Sequence, residues 1–111
     1  MEIGNKVILY YETESQKCPF LDWLNHLDFA VSSRIDARLK RVVIGNFGDF
    51  KSVGDGVNEL RFNFGSGYRV YFAQSGEQIV LLLCAGDKST QEKDIKLAHN
   101  YWADFKRRNN A

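Results

Sequence analysis

The stretch that decides the fold runs from Val57 to Gly86 and reads VNELRFNFGSGYRVYFAQSGEQIVLLLCAG. It contains three segments rich in apolar, β-branched and aromatic residues, separated by glycine-containing turns at residues 65–67 and 75–76. This composition, with alternation in the first segment and short turns between segments, is typical of consecutive antiparallel strands. Residues 57–86 therefore predict a three-stranded unit at the centre of the fold.

The flanking sequence predicts one further strand and three helices. Residues 7–11 form a β-branched and aromatic run typical of a strand, and apolar residues recur at helical spacing in 20–27, 35–43 and 95–105. Ser89 and Glu92 fit a capping box for the last helix, and residues 45–56, with four glycines, predict a connecting loop. We expect a single α+β domain over residues 1–111, ordered β-α-α-β-β-β-α, with one mainly antiparallel sheet packed against two N-terminal helices and a C-terminal helix.

The turn lengths assign side chains to the two faces of the sheet. A three-residue turn at 65–67 places Arg61 opposite Tyr71, and a two-residue turn at 75–76 places Arg69 opposite Leu82. One face is then predicted to expose Glu59, Arg61, Asn63, Arg69 and Tyr71. The other face is predicted to form the core under the first two helices, with Leu60, Phe62, Val70, Leu81 and Leu83.

Three cationic side chains converge on the predicted polar face. Arg61 and Arg69 lie on neighbouring strands, and Lys88 follows the third strand. Like charges repel, so this arrangement needs compensation, and a phosphate group suits it because guanidinium groups bind phosphate oxygens bidentately. Alternatively, Glu59 pairs with Arg61 and Asp94 with Arg69 as ordinary ion pairs. The pattern alone leaves both interpretations open.

Charge is unevenly distributed along the chain. The formal net charge is +1, which does not by itself predict strong nucleic-acid binding, but residues 32–51 carry five basic and two acidic residues. Such local clusters can contact phosphates. We predict phosphate contacts for Lys40, Arg41 and Lys51 in this segment, and for Asn63 on the polar face; the family resemblance given below implies that these are contacts to RNA.

The sequence shows no pattern that predicts a cofactor, a metal site or a membrane span. It has no metal-ligand spacing, no glycine-rich loop leading into a helix and no Ser-His-Asp set. The longest apolar run, residues 79–85, is far shorter than a membrane span, and the first residues lack the basic region of a signal peptide. Cys18 and Cys84 are read as reduced thiols. We therefore expect a cytoplasmic protein without metal, cofactor or membrane partner.

Three segments also carry a family resemblance. Residues 59–61 (ELR), 67–72 (GYRVYF) and 81–89 (LLLCAGDKS) resemble the RelE/ParE toxin superfamily, and more closely its HigB-like, phage-type addiction module killer proteins. The similarity covers nearly the whole chain, including the first strand and the helices near residues 20–24 and 94–102. It implies a compact toxin of a type II toxin–antitoxin pair. An adjacent gene is expected to encode its antitoxin, a helix-turn-helix protein.

The resemblance also implies an activity. RelE- and HigB-like toxins cut messenger RNA on the ribosome without a metal, so ribosome and mRNA are expected partners and translation is inhibited. Arg69 matches the arginine of the family's Gly-Tyr-Arg strand, Arg61 lies near its basic positions, and Lys88 falls where a further catalytic side chain is found. Glu59 or Tyr71 would serve as general base or as a base-stacking platform.

Two other functions are compatible with the same resemblance. ParE-like members share the fold but inhibit DNA gyrase without chemistry of their own. An inactive remnant that only binds its antitoxin is the third possibility. The convergence of Arg61, Arg69 and Lys88 favours the RNA-cleaving interpretation, because phosphorane charge in RNA cleavage needs cations beside it.

Overall fold

The computed structural model describes residues 5–109. Its elements are β1 (Val7–Tyr10), α1 (Pro19–Leu24), α2 (Phe29–Val43), β2 (Phe50–Gly54), β3 (Val57–Arg61), β4 (Arg69–Ser75), β5 (Ile79–Gly86), a 3₁₀ turn (Lys88–Thr90) and α3 (Gln91–Asn109). The five strands form one sheet in the order β1-β5-β4-β3-β2, and only β1 runs parallel to its neighbour. The predicted α+β class is confirmed.

The predicted loop at 45–56 is wrong, because it contains strand β2. This strand pairs antiparallel with β3 through a tight turn at Asp55 and Gly56, both of which have positive φ angles. Two central residues with positive φ match the right-handed twist of a hairpin, and Asp-Gly is a preferred sequence for this turn. The sheet therefore has five strands where the sequence analysis expected four.

The predicted registers of the β3–β4 and β4–β5 pairs are also wrong, but only the second error changes the face on which side chains lie. In the β3–β4 hairpin Arg61 lies opposite Arg69 instead of Tyr71, which is a shift of two residues. Such a shift keeps every side chain on its predicted face, because side chains alternate with a period of two. Between β4 and β5, Phe72 lies opposite Leu82, and a bulge after Tyr71 places Arg69 opposite Gly86. Leu82 therefore faces away from the arginine side.

Both faces of the sheet are covered by helices. The side of α1 and α2 holds a core that contains Phe20, Ile35, Leu39, Leu60, Phe62, Val70, Phe72 and Leu82. The side of α3 holds a second core, in which Val57, Tyr71, Leu81, Leu83 and Ala98 are buried. The expectation that Leu81 and Leu83 lie under the first two helices is thus wrong: both are buried beneath α3. The face predicted to be exposed and polar is largely covered by this helix.

Candidate functional site

The strand register gathers the three predicted catalytic residues at one end of the sheet. Arg61 ends β3 and lies opposite Arg69, which begins β4. Arg69 in turn lies opposite Gly86, the last residue of β5, and Lys88 follows two residues later. Three chain segments therefore place these residues at the same end of the sheet, but their side chains have different surroundings.

Arg61 forms an ion pair with Asp49. Its Nη2 lies 2.9 Å from Asp49 Oδ1, and its Nε lies 3.2 Å from the same oxygen. The side chains of Arg61 and Asp49 are 34% and 38% exposed, respectively. The hydrogen bonds from Arg61 hold the pKa of the Asp49 carboxyl below its usual value. The predicted alternative partner, Glu59, is not the one that Arg61 contacts.

Glu59 instead lies at the centre of a buried polar cluster with Arg69, Tyr71 and Gln91. The Tyr71 hydroxyl and the Gln91 Nε2 donate to Glu59 Oε2 at 3.0 and 2.8 Å, and Arg69 Nη1 lies 3.4 Å from Glu59 Oε1. The Glu59 side chain is 0% exposed and that of Arg69 is 11% exposed. Burial, reinforced by the Glu59 charge, raises the pKa of Tyr71. We call this set the buried cluster.

The buried cluster corrects the expectation of an exposed polar face. Glu59 and Tyr71 do not emerge beside the arginines, because the start of α3 covers them. Both residues are fully buried, and their proposed roles as general base or base-stacking platform stay predictions. Gln91 was missed by sequence reasoning. Its contact depends on how α3 docks, which strand alternation does not reveal.

Lys88 is held by a turn that Asp87 organises. Asp87 Oδ1 accepts hydrogen bonds from the backbone N–H of Ser89 at 2.8 Å and from its hydroxyl at 2.6 Å. The predicted Ser89–Glu92 capping box is therefore replaced by an Asp87 cap. The Lys88 stem lies against Gly67, where a Cβ atom would approach Lys88 Cγ to 2.9 Å. The stem of the exposed Lys88 side chain therefore passes close to Gly67, beside the β3–β4 loop.

A cavity of about 330 Å³ opens between Lys88 and the β3–β4 loop. It is lined by Lys88 and by residues 62–67, including the exposed Asn63. We call it the sheet-end cavity. A cationic amine, an amide and two aromatic side chains, Phe62 and Phe64, therefore share one surface depression.

A second cavity of about 350 Å³ adjoins it on the side of α2. Its lining comprises Arg34, Ala37, Arg38, Arg41, Phe62, Asn63 and Phe64. The last three residues also line the sheet-end cavity, so the two depressions adjoin along this segment. We call the second one the helix-side cavity. Sequence reasoning named Arg41 but not Arg34 or Arg38 as RNA contacts, although their spacing of four and three residues places all three on one helix face.

Lys40 and Lys51 do not take part in either cavity. Both side chains are exposed, Lys40 on α2 and Lys51 on β2 opposite Glu59. Their proposed RNA contacts stay predictions.

Residues 5–109 contain no group of three or more His, Cys, Asp or Glu side chains that could hold a metal ion. Within the same range, none of the helices is both long enough and apolar enough to cross a membrane.

Comparison with known proteins assigns the family. A model of phage-derived Gp49-like proteins (DUF891) matches residues 22–102, which include the sheet-end residues, the buried cluster and the α2 arginines. The chain belongs to the phage-derived Gp49-like family. An uncharacterized protein of Haemophilus influenzae is 54% identical over 80 residues, covering 71% of this chain and 81% of the relative. Gp49-like proteins belong to the RelE/HigB-like addiction module toxin group, which confirms the predicted toxin group.

Membership in this family suggests that the Gp49-like chain is the toxin of a toxin–antitoxin pair, and a toxin of this type implies an antitoxin partner. Both statements follow from the family match, and they agree with the toxin of a toxin–antitoxin pair that the sequence analysis expects.

Proposed function

We propose that this Gp49-like toxin is an endonuclease that cleaves messenger RNA on the ribosome, with the scissile phosphate at the sheet-end cavity. The observation that carries the proposal is the position of Lys88. Its stem passes close to Gly67, and the side chain lines a cavity at the end of the sheet where Arg61 and Arg69 meet on neighbouring strands. Within residues 5–109, Lys88 forms no ion pair, so its charge is available to a ligand.

The proposed step is transesterification within the RNA. The 2′-oxygen forms a bond to the adjacent phosphorus, and the bond from phosphorus to the 5′-oxygen breaks, which leaves a cyclic phosphate and a 5′-hydroxyl. The 2′-hydroxyl gives its proton to a solvent water, and the leaving 5′-oxygen gains one from Lys88 or from a second water. Negative charge accumulates on the phosphorane oxygens, so cations placed there lower the barrier. Lys88 would stabilise this charge or protonate the leaving oxygen.

The two arginines would contribute differently. The Arg61–Asp49 pair is about one third exposed, and an ion pair of this kind is worth only about 0–1 kcal/mol. Arg61 can therefore exchange Asp49 for a phosphate at small cost. Arg69 is held in the buried cluster by Glu59, and removing a partner from a buried pair costs several kcal/mol. Arg69 would act from its fixed position beside the substrate.

The test is controlled expression in cells, with growth recorded and messages mapped by primer extension. The wild-type toxin should stop growth and produce discrete cuts within translated regions, and Lys88→Met should do neither at equal expression. Co-expression of the neighbouring reading frame, expected to encode the antitoxin, should restore growth.

Two results would refute the proposal. Intact messages with double-strand DNA breaks would indicate a gyrase inhibitor. Uninhibited growth with soluble, folded wild-type protein that binds the antitoxin would indicate an inactive remnant.

A further inference from the structure

The helix-side cavity is cationic and lacks a compensating anion. Arg34, Arg38 and Arg41 line it, and no aspartate or glutamate does. Among residues 5–109, none of these three arginines forms an ion pair. The Asp49 carboxylate lines a neighbouring depression with Arg38 and Arg41, and it forms its ion pair with Arg61. Three positive charges thus share a surface that the protein itself does not neutralise.

Arg38 is rigidly fixed. Its Nε, Nη1 and Nη2 donate to the backbone carbonyls of Phe47, Arg61 and Asp49 at 3.1, 2.9 and 2.9 Å. Carbonyl acceptors satisfy its donors without cancelling its charge. Burial lowers the pKa of Arg38, the neighbouring Arg41 charge lowers it further, and the Asp49 charge offsets part of this shift. The fixed charge of Arg38 is therefore part of the fold.

Arg34 is also positioned before any ligand arrives. Its Cζ lies 3.8 Å from the centroid of the Phe64 ring, which is a close cation–π contact. Arg41 is exposed at the other side of the cavity. Arg34 and Arg41, whose guanidinium groups form no side-chain hydrogen bond within residues 5–109, therefore lie on either side of the fixed Arg38 along α2. Preorganised arginines of this kind suit the planar, bidentate recognition of phosphate.

We infer that the helix-side cavity binds the phosphodiester backbone of single-stranded RNA, next to the segment that is cut. The inference rests on the proposed function for its choice of ligand. The two cavities adjoin along Phe62, Asn63 and Phe64, so one strand that crosses this segment would contact both Lys88 and the α2 arginines. Arg34 and Arg41 bind the flanking phosphates, and Arg38 supplies the fixed charge between them. An acidic antitoxin segment is the competing occupant.

The experiment measures RNA binding separately from cleavage. A fluorescent single-stranded oligoribonucleotide with 2′-O-methyl groups at every position cannot be cut, and its affinity is followed by fluorescence anisotropy across a salt series. The double variant Arg34→Gln/Arg41→Gln removes two charges from the cavity. Lys96→Gln/Lys106→Gln removes two charges from exposed positions on α3 and serves as the matched control.

Each phosphate contact on a single strand contributes about 0.7 to the slope of log affinity against log salt. The cavity variant should therefore lose about 1.4 from this slope and at least about tenfold in affinity at low salt. The control should keep the wild-type slope. Circular dichroism and urea unfolding verify that both variants are folded.

Two outcomes overturn the inference. Equal losses in both double variants would mean that only net charge matters. Unchanged RNA binding with lost antitoxin binding in the cavity variant would assign the cavity to the antitoxin. If the slope falls as expected while cellular messages stay intact, the cleavage proposal fails and the RNA site stands.

Discussion

Removal of the Glu59 carboxylate should destabilise the protein more than most single substitutions. Glu59 is 0% exposed and receives hydrogen bonds from Tyr71 and Gln91 in addition to its ion pair with Arg69. In Glu59→Leu, the Arg69 guanidinium, 11% exposed, loses its counter-charge and keeps one buried Nε that has no partner even in the wild type. Tyr71 and Gln91 also lose their acceptor.

Breaking a buried ion pair by removing one partner costs about 3–5 kcal/mol. Small domains are stable by only about 5–15 kcal/mol, so Glu59→Leu should remove a large share of the total. Arg69→Met should cost a similar amount, because it leaves Glu59 charged and buried. The double variant removes both charges and replaces them with apolar side chains of comparable length. Its cost should therefore be smaller than the sum of the two single costs by at least about 2 kcal/mol.

Urea unfolding followed by circular dichroism measures all four proteins at one pH and one salt concentration. Single-variant costs below about 1 kcal/mol, or costs that simply add in the double variant, would show that Glu59 and Arg69 do not form the described buried pair. Such a result would also remove the reason for placing Arg69 in a fixed position beside the substrate.

Three further predictions follow from single contacts. Gly67→Ala and Gly76→Ala both place a side chain at positive φ, and each should lower the free energy of unfolding in urea by about 1–2 kcal/mol. Only Gly67→Ala should weaken growth inhibition, because its Cβ would meet the Lys88 stem. Equal toxicity of the two variants would contradict the close approach of Lys88 to Gly67. Arg38→Lys should cost about 2–3 kcal/mol in urea unfolding, because an ammonium group cannot reach all three carbonyls; a loss below about 0.5 kcal/mol would be inconsistent with this clamp. Burial raises the pKa of the Cys84 thiol from 9.0 to about 12, so the unfolded chain ionises first and the free energy of unfolding should fall as pH rises between these values. Under reducing conditions, the free energy of unfolding of Cys84→Ala should fall less steeply than that of the wild type between about pH 9 and 10, a range chosen because most tyrosines ionise above it. An equally steep fall in both proteins would argue against a buried neutral thiol.

Hydrophobic alternation predicted the strands of the central unit and the face of each side chain in the β3–β4 hairpin. The face assignment survived a wrong register because the error was two residues. Between β4 and β5 the predicted two-residue turn was wrong: Ser75 pairs with Ile79, so three residues connect the strands, and this odd shift moved Leu81 and Leu82 to the opposite faces. The bulge after Tyr71 is a second change of parity, and an almost continuously apolar strand carries no sequence signal for it. Strand β2 could have been predicted, since Asp55-Gly56 is a hairpin signal, but the surrounding glycines favoured a loop.

The site could be predicted only in part, because the sequence pattern does not show which helix covers each face of the sheet. Alternation placed Glu59 with Arg69 and Tyr71, which is correct, but it did not show that α3 buries them. The apolar stripe of α3 must pack against a face of the sheet, so the sequence did contain a signal that α3 covers the face with Glu59 and Tyr71. The helix-side cavity arises where α2 meets the β3–β4 loop, a long-range contact that spacing along either segment does not encode.

The central claim is that Lys88 supports RNA cleavage at the sheet-end cavity. A cell-free translation reaction programmed with one messenger RNA tests it directly, with 5′ ends mapped after addition of wild-type, Lys88→Met or Lys106→Met protein. Lys106 is exposed near the far end of α3 and provides the matched loss of one charge. Discrete cuts are expected with the wild type and with Lys106→Met, and none with Lys88→Met. An intact message with all three proteins, or equal cutting by Lys88→Met, would contradict it.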